Sequence, residues 1–458
     1  MGSNGWRFEV NGLRLSLLAY FIAYGYYGAL SPKTGGVEGA TLSVALALLL
    51  AAPFYLYGKY AASLEDGYRW TIEITKKEFG AAILSFVVLV ALCFDKLNYS
   101  LYADELSYAG SAHGHGTLLA LQLARFPWIQ DIEIRYVVQT ASIAMLAFLY
   151  IVWLCINRIG DRRFLWILIG LFLGLRFLFF LKGGNGSPHP PLQLAPVLVT
   201  GAILGFREVG LKVSYLLGYL IFLCILYRMA RRQCGSAMAT SMAAAIGSLP
   251  LLLDMATVIE HALWGYIFFT LLMVDMVTSE TIDYRRLLLV VSIGTMFRQS
   301  VFVAMFPILM LFLVQNVGRK SPREFVAEAM WMLIPVLLFA PFLMRSMLLG
   351  TPATASIDQG LRIAQLHDAL SSGIVVDAFL RVFHPAWAIP LLLAFVPLGR
   401  NRLAVHVILL TFFLALLSVY YSIDRGLWGL AKYQSEYFAS FMAVGLVSFF
   451  IGLSKRVN

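Results

Sequence analysis

The sequence predicts an all-α, polytopic integral membrane protein, and three observations predict it. First, 60% of the 458 residues are hydrophobic and only 13% are charged, where a soluble domain carries about 25% charged residues. Second, the mean hydropathy is +0.79, and the apolar runs are continuous for about 15–20 residues, the length a bilayer crossing needs. Third, those runs do not alternate. Lipid cannot hydrogen-bond a backbone, so a crossing segment is a helix or part of a closed barrel. Barrel strands alternate apolar and polar residues; LSVALALLLAAPFYLY and AILSFVVLVAL do not.

A sliding-window reading gives about fourteen candidate spans. They lie at Leu13–Leu30, Thr41–Gly58, Ala81–Asp95, Tyr136–Ile156, Phe164–Leu181, Gly210–Leu226, Ser236–Asp254, Ala262–Val277, Leu287–Met296, Val301–Val314, Met330–Leu348, Ala386–Leu398, Leu403–Tyr421 and Phe438–Leu453. The Leu287–Val314 stretch also reads as one long broken helix. The first apolar run lacks the short core and small-residue cleavage site of a signal peptide, so it is expected to be a retained span.

Charge orients these spans. The net charge is +10, and the basic residues gather in alternate loops: Lys59 to Lys77, Arg158–Arg163, Arg228–Arg232, Tyr284–Arg286, Arg319–Arg323, Arg400–Arg402 and Lys455–Arg456. The positive-inside rule puts these loops, and both termini, in the cytoplasm. It also explains the positive charge without a nucleic-acid partner. The opposite loops are longer: 96–135, 182–209, 351–387 and 422–437. No repeat, low-complexity tract or appended soluble domain is visible, so residues 1–458 read as one transmembrane domain. Cys93, Cys155, Cys224 and Cys234 fall in or beside apolar runs, a placement that predicts no disulfide framework.

The chemistry-bearing residues concentrate in the long loops. The first reads DKLNYSLYADELSYAGSAHGHG. Asp104 and Glu105 are adjacent, and Tyr102 and Tyr108 flank them. On a helical turn Asp104 and Tyr108 share a face, and near the bilayer a carboxylate becomes a better base as water thins. An ordinary solvated acidic loop is the plain alternative. His113 and His115 lie at i, i+2 without a defined third ligand, so no metal is expected. In the second loop, Pro188, Pro190 and Pro191 stiffen the chain around His189. The apolar stretch Leu192–Leu204 that follows fits an interfacial or re-entrant helix better than a span, because a further crossing would invert the basic loops. The 351–387 loop is long enough for one or two amphipathic helices that cover the site or recognise an acceptor.

These residues resemble a family. ADELSYAGSA looks like the Asp-Glu…Tyr-Ala motif of GT-C fold glycosyltransferases, in the protein O-mannosyltransferase and lipid A aminoarabinose transferase group. HPPL and LGFREVGLKVSYLLGYL look like that group's Pro-Pro-Leu segment and the Gly…Glu…Arg pattern after it, matching His189, Glu208 and Lys212. Glu260 and His261 occupy the polar position of a later span pair, and GLAKYQSEYF resembles the basic-Tyr motif, matching Lys432 and Tyr433. Two spans separate the Asp-Glu and Pro-Pro-Leu segments here, which preserves their sidedness.

The resemblance implies a transfer, with inversion, from a polyprenyl-phosphate-linked sugar to a glycan, lipid or protein acceptor on the extracytoplasmic face. No cofactor is implied, and a bacterial inner membrane is the expected location. Asp104 would be the base and Glu105 its support. Tyr108, His189, Glu208, Glu260, His261, Lys432 and Tyr433 would bind substrate or the donor phosphate, with Arg425 and Arg362 as further cations. Plainer roles remain for several of them. Lys432 also reads as an interfacial snorkelling residue, and Glu260 and His261 as a helix cap or a pair. Arg298 and Gln299 read either as facing the cavity or as a turn, and Asp254 and Asp275 as carboxylates satisfied by neighbouring helices or set on a substrate path. A transporter or flippase for a lipid-linked or small solute is the alternative function. It predicts paired halves with polar residues at the membrane midplane, neither of which the sequence displays.

Overall fold

A computed structural model describes residues 5–26, 36–99, 134–181, 191–205, 208–259, 262–279, 282–349, 440, 443–447 and 449–454. The described residues are mostly helical. Strand β1 (Gly5–Asn11) runs into α1 (Gly12–Tyr20), which continues as a π-helical turn, Phe21–Tyr26. Then follow α2 (Gly36–Leu64), strand β2 (Arg69–Thr75), α3 (Lys76–Leu92), α4 (Phe94–Asn98), α5 (Ile134–Asn157) and α6 (Arg162–Leu181). A 3-10 turn, Pro191–Gln193, leads into α7 (Leu194–Leu204), α8 (Glu208–Gly247), α9 (Pro250–Ala256) and α10 (Ala262–Thr278). Next come α11 (Tyr284–Phe297), a 3-10 turn over Gln299–Ala304, α12 (Met305–Asn316) and α13 (Pro322–Leu349).

Three of these helices are long and apolar enough to cross a membrane: Gly36–Tyr60, Gln139–Asn157 and Glu208–Gly247. Leu194–Leu204, Ala262–Met276 and Ala443–Ser454 are shorter apolar helices. The expected spans at Ala386–Leu398 and Leu403–Tyr421 lie outside the described residues.

Two hairpins explain how short helices make a bundle. The 40 residues of α8 would carry Ile246 about 40 Å from Tyr219 at 1.5 Å per residue. Instead the Tyr219 hydroxyl donates to the Ile246 carbonyl at 3.0 Å. The chain reverses at Gly235, whose φ of 77° is open to glycine and costly for residues with a Cβ. The two arms match the spans expected on either side of Arg228–Arg232, except that the second stops at Gly247 and restarts as α9. A second reversal joins α11 to α12. The Tyr284 and Phe312 rings lie 5.3 Å apart, and the Tyr284 hydroxyl donates to the Gln315 side chain. Leu287–Val314 is therefore a helical hairpin and not one broken helix.

The helix ends sort by charge. Arg14 Nη1 donates to the Asn157 carbonyl at 2.8 Å, and Gln233 Nε2 to the Thr278 carbonyl at 3.0 Å. The Ser454 hydroxyl donates to the Cys234 carbonyl at 3.2 Å. Arg286 makes a bidentate pair with Asp275 at 2.8–3.1 Å, so Asp275 is satisfied by a neighbouring helix. The basic turns around residues 158, 230 and 285 thus lie at one end of the bundle, together with residue 454.

Glu78 ties α3 into this basic end. Thr75 and Glu78 form a reciprocal capping box, and the Glu78 carboxylate accepts from Arg228 at 3.3 Å and Arg231 at 2.8 Å. Burial pushes this carboxyl up. The Thr75 backbone and hydroxyl hydrogen bonds and the Arg228 guanidinium outweigh it and hold the carboxyl below its usual range. A lowered folded-state value means that the contribution to stability is complete above the unfolded carboxylate range. It is lost as pH falls through the lowered value. Glu78→Ala is therefore expected to cost about 1–2 kcal/mol at neutral pH, the sum of a lost cap and a charge-assisted bond. The deficit should vanish in acid. Denaturation of the detergent-solubilised chain at both pH values checks this.

The described residues bear out a mostly helical fold, with one local addition that the sequence reading did not include. Residues 69–75 lie inside the expected basic loop 59–77 but form β2, which pairs antiparallel with β1 from Gly5↔Thr75 to Asn11↔Arg69. The period-2 pattern RWTIEIT was present in the sequence. Its partner strand is far along the chain, and a lone short strand carries no pairing signal of its own.

Candidate functional site

The opposite end of the bundle holds the roots of the predicted site. Helix α3 ends at Cys93, and α4 carries the chain to Tyr99, five residues before Asp104. The connection is held by Lys212, one helical turn into α8. Its ammonium donates to the Lys96 carbonyl at 3.2 Å and the Tyr99 carbonyl at 3.1 Å, and the residue is only 3% exposed. A buried ammonium is tolerable where oxygen acceptors replace water, and here the start of the first loop supplies them.

Lys96 reaches the other way. Its half-exposed ammonium pairs with the Asp254 carboxylate. Asp254 belongs to α9, whose last turn is closed by Thr257: its backbone N–H donates to the Asp254 carbonyl at 3.1 Å and its hydroxyl at 3.0 Å. The chain then passes Ile259 and, beyond Glu260 and His261, enters α10. Trp264 in the first turn of α10 packs its ring 5.4 Å from Tyr215 of α8 and 4.8 Å from Phe297 of α11.

Arg298 follows Phe297 at the head of the α11–α12 hairpin and is 4% exposed. Its extended backbone, φ −146° and ψ 115°, ends α11. Arg298 thus forms the turn, and its side chain is buried at this end. The Pro191–Gln193 turn packs against α11 and the Phe21–Tyr26 turn. Gln193 is 1% exposed, and its Oε1 accepts no hydrogen bond among the described residues. Helix α7 then packs between α5 and α8. Its 11 residues span about 16 Å, too short to cross a hydrocarbon core of roughly 30 Å.

Of the predicted site residues, Glu208 is described: it is the exposed first residue of α8, where the helix dipole favours a carboxylate. Asp104, Glu105, Tyr108, His189, Glu260, His261, Lys432 and Tyr433 lie outside the described residues, as do His113, His115, Arg362 and Arg425. Among the described residues, three segments of the chain that border or carry predicted site residues converge. The exit toward Asp104, the Glu208–Lys212 turn and the Asp254–Ile259 turn before Glu260 are joined through Lys96 and Lys212. Among the described residues no group of three or more His, Cys, Asp and Glu side chains could hold a metal.

Sequence reasoning passed over Arg176. It is a lone cation in the apolar run GLFLGLRFLFFL, a signal in its own right because intramembrane charge is costly. It is buried, and its Nη1 donates to the Tyr24 carbonyl in the π-helical turn at 2.9 Å.

The class that the fold and these contacts define is a mostly helical protein whose apolar helices suit membrane association. Comparison of the chain with protein families, with curated proteins and with solved structures gave no match.

Proposed function

We propose that this chain is a membrane glycosyltransferase of GT-C type, which moves a sugar from a polyprenyl-phosphate donor to an acceptor hydroxyl with inversion. The acceptor oxygen attacks the anomeric carbon while the bond from that carbon to the phosphate oxygen breaks. Asp104 takes the acceptor proton on the face opposite the leaving group, as an inverting displacement requires. Glu105 positions Asp104 or the acceptor. The departing phosphate already carries negative charge, so it needs a cation more than a proton, and Lys432, beside Tyr433, supplies one. The polyprenyl tail lies in lipid between helices. The basic end of the bundle faces the cytoplasm of a bacterial inner membrane, and the site end faces outward.

The observation that carries this function is the junction made by Lys96 and Lys212. It gathers the exit toward Asp104, the Glu208 turn and the approach to Glu260 at the end opposite the basic turns. A single outward-facing reaction centre built from distant loops needs such a gathering. Incubating the purified chain with a panel of polyprenyl-phosphate sugars and candidate acceptors tests it. Transfer of labelled sugar from one donor is the expected result. Lys432→Ala is expected to raise the donor KM by about tenfold, the loss of roughly 1.4 kcal/mol from one phosphate contact, and to leave acceptor saturation unchanged.

One observation favours a transporter or flippase: the buried Arg176 within an apolar helix, since such charges also line solute paths. Donor translocation across proteoliposomes without any transfer product would select that function.

A further inference from the structure

The strand pairing at the basic end sorts side chains strictly by face. Trp6 lies opposite Ile74, Phe8 opposite Ile72 and Val10 opposite Trp70, so six apolar side chains share one face of the ribbon. The other face carries Arg7 opposite Glu73, Glu9 opposite Thr71 and Asn11 opposite Arg69. Arg7 and Glu73 approach to 3.9 Å, both well exposed.

The apolar face starts inside the protein and leaves it. At its inner end the Trp70 ring lies over Gly12, where an added Cβ would sit 2.6 Å from Trp70 and 2.7 Å from Leu289. Only glycine permits that approach. At its outer end Trp6 is 45% exposed and Phe8 49% exposed. Two large rings left in water on a ribbon of two strands are costly, since burying one is worth about 1.5–3 kcal/mol.

The surroundings say what covers them. Trp6 meets the Phe79 ring edge-on at 5.4 Å. Phe79 begins the stripe Phe79, Ile83, Val87 of α3, and all three are exposed. Among the described residues of this apolar helix, Leu89 is its buried residue. A stripe of that kind is suited to lipid, and the ribbon's apolar face continues it. Exposed Lys76 and Lys77 follow directly on the outer end of β2. Long cationic side chains beside an apolar face reach anionic headgroups while their stems stay in the apolar layer, and Trp favours that depth.

We infer that the β1–β2 ribbon is an in-plane membrane anchor, which lays Trp6 and Phe8 into the headgroup region of an anionic leaflet and turns Arg7, Glu9 and Glu73 to water. Because β1 enters α1 at Gly12 and β2 enters α3 at Lys76 with no intervening residue, the anchor sets the depth of both helices. It is independent of any reaction at the opposite end.

The test uses the full chain in bilayers of phosphatidylcholine, with and without phosphatidylglycerol. A nitroxide is placed at Phe8→Cys or Glu9→Cys, adjacent positions on opposite faces. The parent carries buried Cys93, Cys155 and Cys234 and half-buried Cys224, and treated with the same label it provides the baseline. At position 8, collisions with oxygen should exceed those with a water-soluble nickel complex; at position 9 the order should reverse. Phosphatidylglycerol should deepen the position 8 label. Equal nickel access at both positions would overturn the anchor. A position 8 label shielded from oxygen and nickel alike would also overturn it, in favour of a second copy or another protein on that face. Equal depth in the two bilayers would overturn the anionic specificity.

Discussion

Replacing Asp104 by Asn is expected to abolish sugar transfer while leaving expression and membrane insertion unchanged. Asn keeps the shape and one carbonyl oxygen of the side chain but cannot take a proton at neutral pH. If Asp104 is the base of an inverting displacement, its loss removes a general-base contribution of about 10²–10⁴ in rate. The donor should still bind, because no donor contact is assigned to this residue. Single-turnover transfer and donor binding, measured on the same preparation, separate the two steps. Full transfer by this variant would remove Asp104 as the base while leaving sugar transfer itself established. Loss of transfer together with loss of insertion would instead mark Asp104 as structural.

The second large effect is expected at Lys212. Methionine keeps most of the aliphatic stem but takes away the ammonium that donates to the Lys96 and Tyr99 carbonyls. Two partly buried carbonyls then lose a charge-assisted bond, worth about 1.5–3 kcal/mol apiece, and the start of the first loop is released. A displacement of about 1 Å at a reacting group costs roughly 10²-fold in rate. Lys212→Met should therefore lower kcat by about that factor and leave the donor KM nearly unchanged, and Lys212→Arg should restore part of it. A purely structural lysine would lower activity only in proportion to the folded fraction, with kcat per folded molecule intact. Quantifying folded protein by size exclusion beside the kinetics tells these apart.

How much of this was legible beforehand differs by element. The bundle's hydrophobic helices and the gathering of basic turns at one end follow from runs and charges read along the chain. The turn at Gly235 was visible as a basic gap between two apolar runs. The β1–β2 ribbon was half visible: RWTIEIT alternates, but its partner is the segment at residues 5–11. The proposed site rests on motifs, with Asp104 and Glu105 foremost, that lie outside the described residues. Neither the tie from Lys212 to the first loop nor the pairing of Lys96 with Asp254 was legible, although each residue stands in plain view. Arg176 was readable as a lone charge in an apolar run and was passed over.

By itself the sequence determined the class: a mostly helical chain with apolar helices that suit a membrane, and two chemically unlike ends. It could do so because hydropathy and charge act over single turns and single loops, and each span answers to its own composition. Only the tertiary structure decided which segments meet. Lys212 reaches a carbonyl 116 residues away, and Lys96 a carboxylate 158 residues away. No local propensity encodes such a contact. It arises when packed helices bring distant backbones within hydrogen-bonding reach.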